Sequence, residues 1–182
     1  MSDREKIIVL LSGGIDSSTL LFHLNAEGYA CVPLFIDYGQ AAVDHESIAA
    51  SKIAMHTGTD LQRFSICGTP HGVGEVVGRN ALLIFAAITW HRGKAGMISM
   101  GIHSGTEYAD CSPAFVKAVQ GVLDVMADGR LRVLAPFLNW SKAMVISHAK
   151  NLGVPLHETF SCESPRTGPC GVCLSCRDRG VI

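Results

Sequence analysis

The stretch Ser12-Gly13-Gly14-Ile15-Asp16-Ser17-Ser18 constrains this chain more than any other. It joins the apolar run Ile7-Ile8-Val9-Leu10-Leu11 to a helical pattern through Leu20, Leu21 and Leu24. A short apolar run followed by turn residues and a 3.6-residue period reads as a buried strand, a tight turn and a helix. Two adjacent glycines let the backbone approach a ligand closely, and the first amides of the helix have no intrahelical acceptor, so they can face an anion. The stretch therefore reads as a phosphate cradle, against the plainer reading of an ordinary strand-turn-helix corner. It lacks the lysine of Gly-x-x-x-x-Gly-Lys-Ser and the spacing of Gly-x-Gly-x-x-Gly, so neither a Walker loop nor a dinucleotide fingerprint fits.

A chain of 182 residues suits one α/β domain with a small appendage. The net charge of −1 gives no electrostatic footprint for nucleic acid and argues against such a partner. No apolar run is long enough to span a bilayer and no secretory pattern opens the chain, so the expected setting is the cytoplasm, with no membrane partner. Seven cysteines would be an odd disulfide framework there, and four of them crowd into the C-terminal end.

Strand and helix signals alternate along the rest of the chain. Gly28 ends the first helix, and residues 30–36 form a second strand that delivers Asp37-Tyr38-Gly39-Gln40. Polar residues at that end of a strand sit where open parallel sheets bind ligands, although Asp37 also fits a plain turn. A helix follows from His45 to Thr57, then a strand from Leu61 to Ile66, then a glycine-rich loop from Cys67 to Gly78. Arg79-Asn80 opens an apolar and therefore buried helix, where the cation is placed for a phosphate or carboxylate rather than only for solvent. The fourth strand, Met97 to Met100, leads into a loop from Gly101 to Cys111 that mixes glycine, hydroxyls and acids. Ser112 and Pro113 start a helix, Leu131 to Ala135 is the fifth strand, and the last long helix begins near Ser141. The expected fold is α/β, a parallel five-stranded sheet with helices on both faces.

Cys162, Cys170, Cys173 and Cys176 are spaced C-x7-C-x2-C-x2-C among Gly168, Pro169 and Gly171. Four thiolates can complete a tetrahedral zinc site with no open position, which makes the role structural. An iron–sulfur cluster is the rival, but ferredoxins carry their fourth cysteine downstream, where this chain has Arg177-Asp178-Arg179. Cys111, at a helix start, reads as a packed thiol before it reads as a nucleophile. The expected division is residues 1–158 as a nucleotide-binding α/β domain and 159–182 as a zinc-binding segment packed on it.

The first loop resembles the Ser-Gly-Gly-x-Asp-Ser signature of the PP-loop ATP pyrophosphatases, whose fold is adenine nucleotide alpha hydrolase-like. The order of that loop, Asp37-Tyr38-Gly39-Gln40, Gly78-Arg79-Asn80, Asp110-Cys111 and the terminal cysteines resembles one family more closely still. It is the 7-cyano-7-deazaguanine (preQ0) synthase family of the queuosine pathway, often called QueC, and the resemblance runs from Ile7 to Arg179. It implies an ATP-dependent ligase that forms a C–N bond. The acid 7-carboxy-7-deazaguanine is adenylated, ammonia displaces AMP to give the amide, and a second adenylation allows elimination to the nitrile. The resemblance also implies ATP, Mg2+ and structural Zn2+ as cofactors, and a homodimer.

Carried over residue by residue, Leu11, Ser12, Gly13, Gly14, Asp16, Ser17, Ser18, Asp37, Tyr38, Gln40 and Gly101 would hold ATP. Arg79, Asn80, Glu107, Tyr108 and Asp110 would hold the deazaguanine carboxylate, with Glu107 or Asp110 accepting from its guanine-like edge. Ser12, Asp16 and Lys142 would be catalytic, the lysine balancing charge on the leaving pyrophosphate. Several positions depart from the family. Ala41-Ala42 stands where Arg-His is usual, Val77 where proline is common, and both the loop from Cys67 to Gly78 and the acidic loop are shortened. A clipped lid suits a larger acceptor, so a second reading is a paralogue that transfers the activated acyl group to a protein amine or another nucleophile. A tRNA-modifying PP-loop enzyme and a non-enzymatic zinc-ribbon module are weaker alternatives. The first needs a catalytic cysteine or a basic surface, and the second leaves the phosphate loop without a purpose.

Overall fold

A computed structural model of the chain describes residues 5–66, 68, 74, 76–93, 96–103, 105–106, 108–166 and 168–179. Its elements run in order β1 (Lys6–Leu10), α1 (Ile15–Ala26), β2 (Ala30–Asp37), α2 (Val43–His56), β3 (Gln62–Ser65), α3 (Arg79–Trp90), β4 (Gly96–Ser99), α4 (Pro113–Ala127), β5 (Leu131–Leu134), α5 (Lys142–Asn151) and α6 (Leu174–Arg179). Two short 3-10 turns, Ala109–Cys111 and Leu156–Glu158, complete them.

The sheet has five strands in the order β3-β2-β1-β4-β5, and every pairing is parallel. Ile8 of β1 lies between Val32 of β2 and Ile98 of β4, so β1 is the central strand. Its residues alternate between two cores, as the period of two in a strand requires. Ile7, Val9 and Leu11 pack with Leu20, Leu21 and Leu24 of α1, Ile53 of α2 and Val145 of α5. Ile8 and Leu10 pack with Ile84 of α3 and Val119 and Leu123 of α4 on the opposite face. Helices thus cover both faces, and the inner strands β1 and β2 read as nearly continuous apolar runs because neither of their faces is wet, whereas the edge strands β3 and β5 alternate with exposed polar residues.

Pro33 interrupts β2 at no cost to the sheet, because it pairs with Val9 while β3 begins its pairing one residue later, at Leu34. At the other edge, Gln120 of α4 serves β5 as a substitute strand. Its Oε1 accepts from Val133 N at 2.9 Å and its Nε2 donates to Leu131 O at 2.9 Å. Serine hydroxyls start two helices, Ser112 Oγ accepting from Phe115 N and Ser141 Oγ from Met144 N.

The chain leaves β1 towards β2 on one side and returns to β4 on the other. The connections therefore diverge at the C-terminal ends of β1 and β4, which opens a crevice there. The loops after both strands meet in it. A Cβ on Gly101 would lie 2.7 Å from Asp16 O, so glycine is what lets the loop after β4 rest against the start of α1. Among the described residues no helix is long and apolar enough to cross a membrane.

Candidate active site and four-cysteine centre

The phosphate loop braces itself with two hydroxyls. Ser17 Oγ accepts from Ser12 N at 3.2 Å and lies 3.0 Å from Ser12 Oγ, while Ser12 Oγ accepts from Gly14 N at 3.3 Å. Gly13 takes φ +80° and packs so tightly on α2 that a Cβ would stand 2.6 Å from Ala50 N. No side chain caps α1, so the N–H groups of its first turn point into the crevice as an anion site. Gly13 and Ser18 support the loop from behind, and Ser18 Oγ is buried without a hydrogen-bond partner.

Lys142, the first residue of α5, donates from Nζ to both carboxylate oxygens of Asp16 at 2.7 Å. His103 comes to 3.8 Å of the same carboxylate and is almost fully buried. Burial lowers its pKa; Asp16 opposes that shift and Lys142 adds to it. The imidazole is therefore neutral near pH 7, and its Nδ1 is buried without a partner.

These groups line a cavity of about 240 Å³ bounded by Leu11, Ser12, Gly14, Asp16, Ser17, Tyr38, Gln40, Arg79, Asn80, Gly101, Tyr108 and Lys142. Most of the residues expected from the sequence to form the site are thus in one place. Asp37 does not line it. Its Oδ1 accepts from Gly39 N at 2.9 Å and fixes the turn after β2. Gln40 braces the same turn, accepting from Tyr38 N at 2.9 Å and donating from Nε2 to Ile36 O and Glu46 Oε2. Burial pushes the Glu46 carboxyl up, and Gln40 and Arg79 pull against it.

Arg79 follows Gly78, whose φ of +80° turns the chain into α3. Its guanidinium bonds to Tyr38 and faces Asp110, which together outweigh the desolvation of its charge. Asp110 is engaged by the backbone of α3, with Oδ2 accepting from Asn80 N at 3.2 Å. Asn80 Nδ2 donates to Asp110 O at 3.1 Å, which locks the acidic loop to α3. Burial raises the Cys111 thiol, so this packed cysteine carries little thiolate, in keeping with the non-nucleophilic reading. Glu107 lies outside the described residues.

The C-terminal cysteines form a closed group, their sulfurs all within 4.8 Å of one another. Cys170 Sγ and Cys176 Sγ are 3.9 Å apart, close to the ~3.8 Å edge of a tetrahedron with Zn–S bonds of about 2.3 Å and far beyond a disulfide. Cys162 Sγ accepts from Ser164 N and Cys170 N, Cys170 Sγ from Cys173 N, and Cys173 Sγ from Cys176 N. Amides of Val172 and Cys173 bring the Cys170 thiol down to about 6, whereas burial pushes Cys176 up to about 12. The donor set fits a soft tetrahedral cation that would hold both as thiolates.

This segment also forms a wall of the cavity, which the sequence reading did not foresee. Phe160, Ser161, Glu163, Leu174, Ser175 and Asp178 all line it. Phe160 N donates to Gly13 O at 2.9 Å and its ring stacks on His45. Arg179 ties the far end down through Thr159 O at 2.8 Å and Leu156 O at 2.9 Å. His103 was likewise missed. Only its place two residues beyond Gly101, in the loop that leaves the inner strand β4, could have marked it.

Comparison with known proteins identifies relatives along nearly the whole chain. The family model described as queuosine biosynthesis protein QueC matches residues 6–70 and 69–181. A 7-cyano-7-deazaguanine synthase of Synechococcus sp. is 34% identical over 98% of this chain and 92% of its own length. Those of Desulfitobacterium hafniense (synthase 1) and Haloarcula marismortui are 31% and 32% identical, over 97% and 98% of the chain and 90% of each relative. Among solved structures, a predicted tRNA methyltransferase subunit from Methanocaldococcus jannaschii aligns with a TM-score of 0.56 at 13% identity, over 81% of this chain and 76% of its own. A 4-thiouridine synthetase, solved with RNA and bound ATP, gives 0.56 at 14% identity over 91% of this chain and 46% of its own. At such identities the likeness shows the fold alone.

Proposed function

As the chain belongs to the QueC family of queuosine biosynthesis proteins, we propose that it makes 7-cyano-7-deazaguanine from 7-carboxy-7-deazaguanine, ammonia and ATP. The observation that carries this reading is the cavity between the loops after β1 and β4. A phosphate-accepting helix start and the Asp16–Lys142 pair stand at one end, and Arg79, Tyr38 and Tyr108 at the other. The buried, unpartnered His103 Nδ1 in its wall supports a polar ligand, because leaving such an atom bare costs about 1–3 kcal/mol.

In this reading the amides of Gly14 to Ser17 and the hydroxyls of Ser12 and Ser17 hold the phosphates. The substrate carboxylate, oriented by Arg79, attacks the α-phosphorus, forming an acyl–oxygen–phosphorus bond and releasing pyrophosphate. Lys142 balances the charge of that leaving group. Ammonia then adds to the acyl carbon, AMP departs and a proton is lost, which leaves the amide. A second ATP adenylates the amide oxygen, and loss of AMP and protons gives the nitrile. No side chain serves as a covalent nucleophile; positioning and electrostatics do the work. Mg2+, held through oxygens of Asp16, Ser12 and Ser17, would neutralise phosphate charge. The four cysteines of the segment 159–182 would hold structural zinc. That segment then acts as part of one unit with the α/β domain of residues 1–158.

A second reading keeps the adenylation and replaces ammonia by a larger amine. It is favoured by a wider groove of about 680 Å³ that runs along the cysteine segment and shares Tyr108, Glu163 and Leu174 with the cavity. One incubation separates the two: protein, Mg-ATP, 7-carboxy-7-deazaguanine and ammonium, followed by AMP release and product mass. Nitrile supports the first reading, and AMP or acyl-adenylate without nitrile supports the second. Absence of substrate-dependent ATP turnover by folded, metal-replete protein would overturn both.

A further inference from the structure

The aminopyrimidinone edge of a 7-deazaguanine presents two neighbouring donors, the ring N–H and the exocyclic amino group. A site that selects it needs a matching acceptor, and a carboxylate with two parallel oxygens is the strongest available. Of the acids expected to do this, Asp110 is already engaged by Asn80 N at the start of α3. Glu46 also lines the cavity, but it accepts from Gln40 Nε2, and burial favours its neutral form.

Glu163 remains. It lines the cavity from the cysteine segment, and its charge acts on both Tyr38 and Glu46, which places it at the Arg79 end, away from Asp16 and Lys142. Ser175 Oγ donates to its Oε1 at 3.0 Å, which fixes the side chain while leaving lone pairs on both oxygens. Its neighbours in sequence, Cys162 and Ser164, are buried and joined by a bond from Ser164 N to Cys162 Sγ at 3.4 Å. The carboxylate is thus anchored on both sides before any ligand arrives, as a specificity group should be.

We propose that Glu163 is the residue that selects the aminopyrimidinone edge of the substrate, accepting from its ring N–H and amino group. The proposal rests on the adenylation reading above. It gives the four-cysteine segment a second task, since the loop that holds the metal also presents the acceptor.

Equilibrium binding tests it on the metal-replete full chain, using 7-carboxy-7-deazaguanine and its analogue without the amino group, each beside a non-hydrolysable ATP analogue. Wild-type protein should prefer the guanine-type acid by roughly 100-fold. Glu163→Gln should weaken that acid by roughly 30-fold, because the amide presents a donor where an acceptor is needed. The deamino compound, which keeps the ring N–H, should lose only about three- to five-fold; affinity for the ATP analogue and metal content should stay within about two-fold, and in turnover the loss should fall on KM rather than kcat. Ser175→Ala, which frees the carboxylate without removing it, should lose about three- to five-fold and decides the matter if the first variant does not fold. Unchanged discrimination, or equal loss for both acids, or loss of metal or ATP-analogue binding, would overturn the proposal while leaving the adenylation reading intact. Failure of wild-type protein to bind either acid would overturn that reading, and this proposal with it.

Discussion

Lys142 Nζ sits 2.7 Å from both carboxylate oxygens of Asp16, although 126 residues separate the two along the chain. The pair joins the first turn of α1 to the first turn of α5, and both turns open on the same crevice. A cation at a helix start works against the local dipole, which a structural role alone would not favour. Its placement is accounted for by charge that arrives with a ligand.

Lys142→Met should therefore slow AMP formation by about 100-fold, near 3 kcal/mol of lost transition-state stabilisation. The two carboxylate contacts are part-exposed, so the fold should survive. Asp16→Ala should abolish AMP formation with the fold retained. Steady-state AMP release beside a thermal melt checks both, and unimpaired turnover by either folded variant would sink the assignment of this end of the cavity.

Glycine positions give a sharper test of the crevice. Gly101→Ala places a Cβ 2.7 Å from Asp16 O, and Gly13→Ala places one 2.6 Å from Ala50 N at a φ of +80°. Neither neighbour is a flexible side chain, so each change should cost about 2 kcal/mol or more of stability and weaken binding of an ATP analogue. Gly121→Ala, in the middle of α4 with nothing within 4 Å of the added carbon, should instead stabilise by about 0.5–1 kcal/mol. Chemical denaturation of the three variants reads the contrast directly.

The layout of this crevice was largely legible beforehand. The apolar runs of β1, β2 and β4 and the turn residues behind each are local signals, and parallel order follows from their alternation with helices. Ser12, Asp16, Tyr38 and Arg79 line the cavity at the sheet edge to which those signals assign their loops, and Lys142, read from the family resemblance alone, lines it too. What stayed hidden was non-local. Nothing in the C-terminal sequence shows that Phe160 bonds to Gly13 O, so the cysteine segment read as a clamp and not as a cavity wall. The hydrogen bond from Asn80 N to Asp110 crosses 30 residues, so no local signal shows that this carboxylate also braces α3. His103 carried no motif of its own, and its meaning came only from burial beside Asp16.

One buried and one half-buried histidine should give the protein a defined acid limit. His103 is lowered from 6.5 by burial, and His23 is lowered by burial and by His148, whose Nε2 lies 3.3 Å from its Nδ1. A histidine with a depressed folded pKa takes up its proton more readily when unfolded. Its contribution to stability is therefore complete above pH 6.5 and lost as the pH falls from there towards the folded value. The urea midpoint should drop as the pH falls below about 6.5, and His23→Gln should flatten part of that drop. An equally steep fall in the variant would refute this source.

The cysteine segment couples metal binding to the cavity, because the loop that carries the four sulfurs is also one of its walls. Cys173→Ser removes a sulfur from a group whose members all lie within 4.8 Å, and with it the acceptor of the Cys176 amide. A tetrahedral centre reduced to three thiolates should bind zinc well below stoichiometric amounts and melt several degrees lower. Phe160 N bonds to Gly13 O, and His45 reaches both the Phe160 ring and Pro165 O. Loosening the segment should therefore also weaken ATP-analogue binding. Chelation of wild-type protein should reproduce both effects, and re-addition of zinc should reverse them. Metal content and nucleotide affinity unchanged in the serine variant would show that the four sulfurs hold no ion and that the wall they build stands without one.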